Sequence, residues 1–373
     1  METPAKCFRI GISGSYGGMN LGDEAILEGI LSQLRASLAA EITVFSANPA
    51  DTLARHKVEH AICARSLTRK EIAPAIRGLD LLILGGGGIL YDRDASAYLR
   101  EVTLAHEIGI PVFLYAVSAG PLNTRAARLA VREALNASPS TVITVRDRLG
   151  YRLLDDIGVT NEIHLTADPA FLLEPESLPV EVLHAEGVEF SRDLVGFSVR
   201  EPGPAAPDLN PDDYHQMLAN AADFMVERFD ADVLFVPMET VDVQHSHAVV
   251  AYMRYAERAE ILRRRYSPRQ ILDLMGRFEF AVGMRLHFLI FAALRGTPFA
   301  PLPYASKVSG LLEDLRMDTP PLERMGVGQL IGRIDRKWDT RAQIQARIGE
   351  LVPELKRRAA RTNELLLGSL KQR

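Results

Sequence analysis

Phe280-Ala281-Val282-Gly283-Met284-Arg285-Leu286-His287-Phe288-Leu289-Ile290-Phe291-Ala292-Ala293-Leu294-Arg295 reads as a short buried strand, a glycine turn, and a helix whose first turn carries a cation and an imidazole. Apolar residues surround both polar groups, so Arg285 and His287 sit where a long charged side chain is rarely tolerated without a reason. Free backbone N–H groups and the positive end of a helix dipole favour an anion at such a turn. Arginine adds the planar fork that grips carboxylate or phosphate. A small, strongly anionic substrate is therefore the first expectation.

Outward from this stretch the same unit recurs. On its N-terminal side, strands are expected at 194–199, ending at Arg200, and at 232–236, with helices at 213–229 and 267–277. Ser267 caps the latter, with Pro268 at the first helical position. On its C-terminal side a strand at 298–302 and a loop at 303–306 precede a helix that Lys307 starts. The N-terminal half alternates likewise, with strands at 8–13, 41–46, 79–84, 111–117, 141–145 and 162–166. Asp23 and Glu24 open the first helix, where the dipole stabilises carboxylates. Their capping role and an active-site role stand side by side, because ligands also sit at these helix ends. Four consecutive glycines, Gly85 to Gly88, follow a buried strand and permit either a turn or close approach to a ligand.

Repeated strand, small-residue loop and helix imply an α/β fold with mainly parallel sheets whose functional edges lie at the strand C-termini. A length of 373 residues exceeds what one hydrophobic core usually supports, so two domains are expected. The boundaries are read as 1–172 for the first α/β domain, 173–193 for a Pro- and Glu-containing linker or crossover, 194–340 for the second, and 341–373 for a C-terminal helix packing back. Two Rossmann-like domains facing each other across a cleft form the simplest arrangement.

Hydrophobic residues at 47% and charged residues at 24% describe an ordinary soluble globular chain. A net charge of −5 gives no global attraction to nucleic acid, so an anion site must be local. Two cysteines are too few for a disulfide framework, and neither a signal-peptide core nor a membrane span is visible. A cytoplasmic protein is expected. The Arg- and Leu-rich last segment reads first as a solvated helix, with a peripheral contact to the inner membrane as the alternative.

The candidate chemistry gathers at strand ends. Arg200, Arg285, His287 and Lys307 each stand at or just past one in the second half. His245 and His247 next to Asp242 lack a further ligand at fitting spacing, so they read as a solvated or substrate-facing loop, and no metal site is expected. No Gly-x-Gly-x-x-Gly in the first loop, no P-loop and no nucleophile elbow are present.

Several local patterns, taken in order, resemble one family. Gly14-Ser15-Tyr16-Gly17-Gly18-Met19-Asn20-Leu21-Gly22-Asp23-Glu24 resembles the N-terminal motif of the polysaccharide pyruvyl transferases. Leu84-Gly85-Gly86-Gly87-Gly88, Thr144-Val145-Arg146-Asp147, Thr166-Ala167-Asp168-Pro169, Gly283-Met284-Arg285-Leu286-His287 and Tyr304-Ala305-Ser306-Lys307 look like its later motifs. The resemblance implies a glycosyltransferase-B-like pair of halves, with phosphoenolpyruvate as co-substrate, no cofactor, and a sugar acceptor that is free, nucleotide-linked or lipid-linked. It makes Arg285, Leu286, His287 and Arg200 donor-site residues and matches Lys307 to a recurring lysine. On the acceptor side it leaves Asn20, Gly22, Gly86, Gly87, Ser118 and Asp242, with His287 as acid and Asp23 or Glu24 as base. The segment Val236-Pro237-Met238-Glu239-Thr240-Val241-Asp242 departs from the family's more aromatic form, which bears on the acceptor. The implied reaction forms a pyruvate ketal on a cell-surface polysaccharide or its precursor. A nucleotide-sugar glycosyltransferase of the same fold and a non-catalytic glycan-binding protein are the rivals.

Overall fold

The computed structural model describes residues 6–92, 95–201, 210–302, 306–319 and 326–371. The chain divides into two compact units, one of residues 1–173 with 354–373 and one of residues 174–353.

In the first unit the elements alternate: β1 (Phe8–Ser13), α1 (Leu21–Ser37), β2 (Ala40–Ser46), α2 (Pro49–Arg55), β3 (His60–Cys63), α3 (Arg69–Arg77), β4 (Leu81–Leu84), β5 (Gly87–Leu90), α4 (Ala95–Ile108), β6 (Val112–Ala119), α5 (Arg125–Asn136), β7 (Val142–Val145), α6 (Arg148–Asp156) and β8 (Ile163–Leu165). All described strand pairs are parallel, in the order β3-β2-β1-β4-β6-β7-β8, with β5 beside β6. β4 is Leu-Leu-Ile-Leu and wholly buried, because helices cover both faces of a parallel sheet. Each such side chain contributes about 2 kcal/mol of burial. The order reverses between β1 and β4, so their C-terminal ends open the crevice in which α/β sheets take ligands.

β6 carries a bulge between Leu114 and Val117, where Ala116 adopts φ +50. The Thr144 hydroxyl spans it, accepting from the Ala116 N–H at 2.7 Å and donating to the Leu114 carbonyl at 2.8 Å. A left-handed alanine costs on the order of 1–2 kcal/mol. On the other side of β6, Gly87 and Gly88 pair with Val117 and Ser118. The four-glycine run is thus half strand, where the sequence was read as a turn or a close approach to a ligand.

The second unit contains α7 (Val180–His184), β9 (Leu194–Ser198), α8 (Pro211–Phe229), β10 (Asp232–Phe235), α9 (Thr240–Tyr252), β11 (Ala259–Ile261), α10 (Pro268–Met275), β12 (Phe280–Gly283), α11 (Leu286–Arg295), β13 (Phe299–Pro301), α12 (Ser306–Asp314) and α13 (Val327–Asp339). Its sheet is parallel in the order β11-β10-β9-β12-β13, reversing between β9 and β12. Residues 174–193 pack here: the Leu178 N–H donates to Asp273 and the Arg263 N–H to Glu186. Ser267 caps α10 through the Gln270 N–H, with the reciprocal Gln270 contact completing a capping box.

The last helix, α14 (Arg341–Lys371), begins with the second unit and ends with the first. Arg358 donates to the Thr166 carbonyl, and Leu366 is fully buried against Ile30 and its neighbours. Among the described residues no helix is long and apolar enough to cross a membrane.

Candidate functional site

The ends of β9 and β12 form the first edge of interest. Gly283 closes β12 because a Cβ there would stand 2.4 Å from Phe288, which lies over the strand as α11 begins. Arg285 is the N-cap residue of α11 and is 7% exposed. Its Nε donates to Asp242 Oδ2 at 2.9 Å, and its Nη2 donates both to Asp242 Oδ1 and, at 2.7 Å, to Glu239 Oε2. Asp242 is fully buried and also accepts the Met238 and Glu239 N–H groups at 3.1 Å each. Burial pushes its carboxyl above the ordinary range, against the hydrogen bond and charge of Arg285.

Two carboxylates from the start of α9 meet Arg285, and the oxygens of Asp242, a residue expected on the acceptor side, are committed to the guanidinium and to backbone. The cause is common to both: a buried charge must be paired, and the pair lies within the fold.

Arg200, two residues past β9, is paired with Glu201. Burial opposes ionisation of Glu201, but the charge and hydrogen bond of Arg200, with Arg285 adding at longer range, hold its carboxyl below the usual value. The Tyr214 hydroxyl donates to the Arg200 carbonyl at 2.9 Å and approaches Met284 Sδ at 2.6 Å, which ties the end of β9 to the residue before Arg285. His215 Nε2 and His245 Nδ1 are 3.0 Å apart, and His245 Nε2 lies 4.0 Å from Glu201. Burial, and then the neighbouring His245, keep His215 below its ordinary pKa against the pull of Asp212. His245 and exposed His247 belong to α9, not to a loop. Among the described residues no group of three His, Cys, Asp or Glu could hold a metal ion.

Leu286 and His287, the first two residues of α11, are half-buried beside this network. Lys307 is half-buried at the second position of α12, while Tyr304 and Ala305 of its motif lie outside the described residues.

In the first unit the ends of β1 and β4 form the matching edge. Asn20 caps α1, its Oδ1 accepting from the Gly22 N–H at 2.8 Å and the Asp23 N–H at 3.4 Å. Glu24 is 1% exposed: one oxygen accepts from the Gly17 N–H at 2.9 Å and the other meets His56 Nε2 at 2.7 Å. Glu24, named with Asp23 as a candidate base, is thereby a buried strut of the glycine loop in this structure. Asp23 remains half-buried, with a carboxylate oxygen 3.5 Å from the place a Cβ on Gly87 would take. Gly87 has φ +103, and a Cβ on buried Gly86 would press Ile26 and the Tyr115 carbonyl at 3.0 Å. Ser118, expected on the acceptor side, is buried and donates to Asp147 at 2.5 Å, and Asp147 caps α6 through the Gly150 N–H. Arg146 joins Asp168 in a buried ion pair, so the Arg-Asp and Asp-Pro motifs tie the C-terminal ends of β7 and β8 to each other.

The sequence profile of polysaccharide pyruvyl transferases matches residues 20–306. The chain belongs to that family. Membership places this pyruvyl transferase family protein among transferases of polysaccharide modification. It is similar to the amylovoran biosynthesis protein AmsJ of Erwinia amylovora, at 19% identity over 76% of this chain and 72% of that protein. Its fold is similar to a UDP-N-acetylglucosamine 2-epimerase described as putative from Listeria monocytogenes (TM-score 0.66, 10% identity, 98% and 96% of the two chains). It is likewise similar to the Neisseria meningitidis UDP-GlcNAc 2-epimerase (TM-score 0.65, 8% identity, 98% and 100%) and to Anabaena Alr3699/HepE (0.61, 14%, 98% and 100%). These likenesses establish a glycosyltransferase-B-like α/β fold with parallel sheets and a helical C-terminal region.

The sequence did not single out His215, Tyr214 or His56, while Glu239 stood only within the departing segment 236–242 and Glu201 only as a neighbour that could pair with Arg200. His56 stands just past the end of α2 and His215 within α8, and nothing local distinguishes either.

Proposed function

We propose that this pyruvyl transferase family protein transfers pyruvate from phosphoenolpyruvate to two hydroxyls of a sugar, forming a ketal and releasing phosphate. The observation that carries the reading is the placement of Arg200 and Arg285 at the C-terminal ends of β9 and β12, on either side of the sheet-order reversal, with His287 two residues beyond. Phosphoenolpyruvate bears a carboxylate and a phosphate on a three-carbon frame, and cations held by neighbouring carboxylates can exchange those partners for the incoming anion. Lys307 and Leu286 belong to the same donor side.

Ketal formation needs a proton at the methylene carbon, attack by a sugar hydroxyl on the adjacent carbon, closure by the second hydroxyl, and departure of phosphate. The two hydroxyl protons balance the one gained by carbon and the one carried off on phosphate. His287 is the proposed acid, since an imidazole is the side chain suited to hold and deliver a proton near neutral pH. Asp23 is the proposed base on the acceptor side, with Asn20, Gly22 and Gly87 shaping the surrounding backbone. The scheme requires no metal or redox cofactor.

The test is a mass-spectrometric screen in which phosphoenolpyruvate is incubated with p-nitrophenyl glycosides and UDP-N-acetylhexosamines, looking for the pyruvate ketal. Calorimetry with phosphoenolpyruvate and, separately, with the UDP-sugars discriminates the nucleotide-sugar alternative. Binding of UDP-sugar alone, with no ketal on any acceptor, would refute the reading.

A further inference from the structure

The reversal between β1 and β4 in the first unit is occupied by Tyr16. Its ring lies against Gly14 and Gly85, the residues that directly follow those two strands: a Cβ on Gly14 would stand 2.6 Å from the ring, and one on Gly85 would stand 1.9 Å from the phenol oxygen. Tyr16 is 1% exposed, yet its hydroxyl has no hydrogen-bond partner among the described residues. A buried hydroxyl without a partner destabilises the fold, and phenylalanine would fill the same space without that cost.

Tyr115 supplies an internal comparison. It is fully buried, and its hydroxyl also lacks a partner among the described residues. The two phenols differ in their surroundings. Only burial raises the Tyr115 pKa, as expected for a ring inside the apolar core. For Tyr16, burial is joined by the charges of Asp23 and Glu24, then Tyr98 and Asp168, all of which keep the phenol protonated. Tyr16 stands in the loop that leads into the first turn of α1, next to Gly17, whose N–H donates to Glu24 at 2.9 Å, and that turn carries Asp23, the carboxylate the proposed function uses. The Tyr16 oxygen is covered in this structure, so contact with a ligand requires a shift of the side chain. Gly85 leaves room for the phenol oxygen where it stands, since a Cβ there would overlap it.

We propose that Tyr16 is an acceptor-binding residue whose O–H hydrogen-bonds to an oxygen of the sugar next to Asp23. The inference rests on the pyruvyl-transfer reading and adds to it a residue on the acceptor side.

The experiment compares Tyr16→Phe and Tyr115→Phe in the full chain, using the acceptor that gives a ketal in the screen above. Neither variant should lower the Tm, since each loses only an unpaired hydroxyl. Tyr16→Phe should raise the acceptor KM about 5- to 10-fold, the size of one hydrogen bond, and leave the phosphoenolpyruvate Kd unchanged. Tyr115→Phe should match the wild type in both. An unchanged acceptor KM in Tyr16→Phe overturns the assignment, and so does a Tm loss in that variant alone, which would make its hydroxyl structural. If the wild type forms no ketal in the screen, the functional reading fails and the inference goes with it. A wild type that forms ketal while Tyr16→Phe equals it sinks the inference alone.

Discussion

Replacing Arg285 by alanine should unfold the second unit at a markedly lower temperature, and the deficit should depend on pH. The substitution leaves Asp242, fully buried, with the Met238 and Glu239 N–H groups but without the guanidinium that meets both its oxygens. Removing one partner of a buried pair costs roughly 3–5 kcal/mol, because the orphaned charge stays desolvated. At about 2–4 °C per kcal/mol for a unit of this size, the Tm should fall by roughly 6–20 °C near neutral pH. The sign of the pH effect comes from burial, which already holds the Asp242 carboxyl above its ordinary value while Arg285 opposes the shift. Without Arg285 it rises further, so the folded state binds a proton that the unfolded chain has released. Stability of the variant is then greatest below the unfolded carboxylate pKa of about 4 and is lost as pH rises towards the raised folded value. Relative to wild type, the deficit should shrink on acidification. Asp242→Asn in the same chain should restore much of the loss, since no buried charge is left unpaired. Thermal denaturation by circular dichroism between about pH 5 and 8 tests this, within the range where histidines also titrate in both proteins. A Tm equal to wild type, or a deficit equal at both ends of the range, would falsify the argument that Asp242 is the principal partner of Arg285.

The remaining expectations concern single residues. His287→Gln should retain most phosphoenolpyruvate affinity by calorimetry and lose about 10²- to 10⁴-fold in turnover, the share of one general acid; preserved turnover at saturation with weakened binding would make His287 a ligand for phosphate. Asp23→Asn should depress turnover while leaving the donor Kd near wild type, and full activity would return Asp23 to a role in the first turn of α1. Gly17→Ala should destabilise the first unit by at least about 1–2 kcal/mol from its left-handed conformation alone, since φ is +75 and the Cβ would also stand 2.2 Å from Ser46 Oγ and 2.6 Å from the Asn48 nitrogen; chemical denaturation reads this out, and an unchanged midpoint contradicts it.

The sheets were legible because parallel strands covered on both faces read as unbroken apolar runs, as in Leu81 to Leu84 and Phe280 to Val282. β5 was not, because Gly87-Gly88-Ile89-Leu90 opens with two glycines that read as a turn, and its pairing lies with β6, about 30 residues on. α9 was misread in its first turns because Asp242, His245 and His247 look like loop residues until their partners are known. His245 has His215 from α8, and Asp242 has Arg285.

The same limit governs the candidate site. Position at a strand end marks Arg200 and Arg285, because chain direction and strand order place such residues on one edge. Nothing local marks what neutralises them. Arg285 and Asp242 are 43 residues apart, and Arg285 and Glu239 are 46 apart, distances over which one sequence carries no sign of pairing. That omission alters the energetics of the proposed donor site. An anion arriving at unpaired buried cations would gain nearly the full charge-assisted interaction, whereas one arriving here must displace or share partners already in place. Donor affinity is then a difference between two sets of ion pairs, and the carboxylates that reduce it also hold the guanidinium in one orientation before the donor arrives. Glu201 and Glu239, which are less buried than Asp242, are the partners that can yield. Asp242, held by two backbone N–H groups as well, is the one that stays.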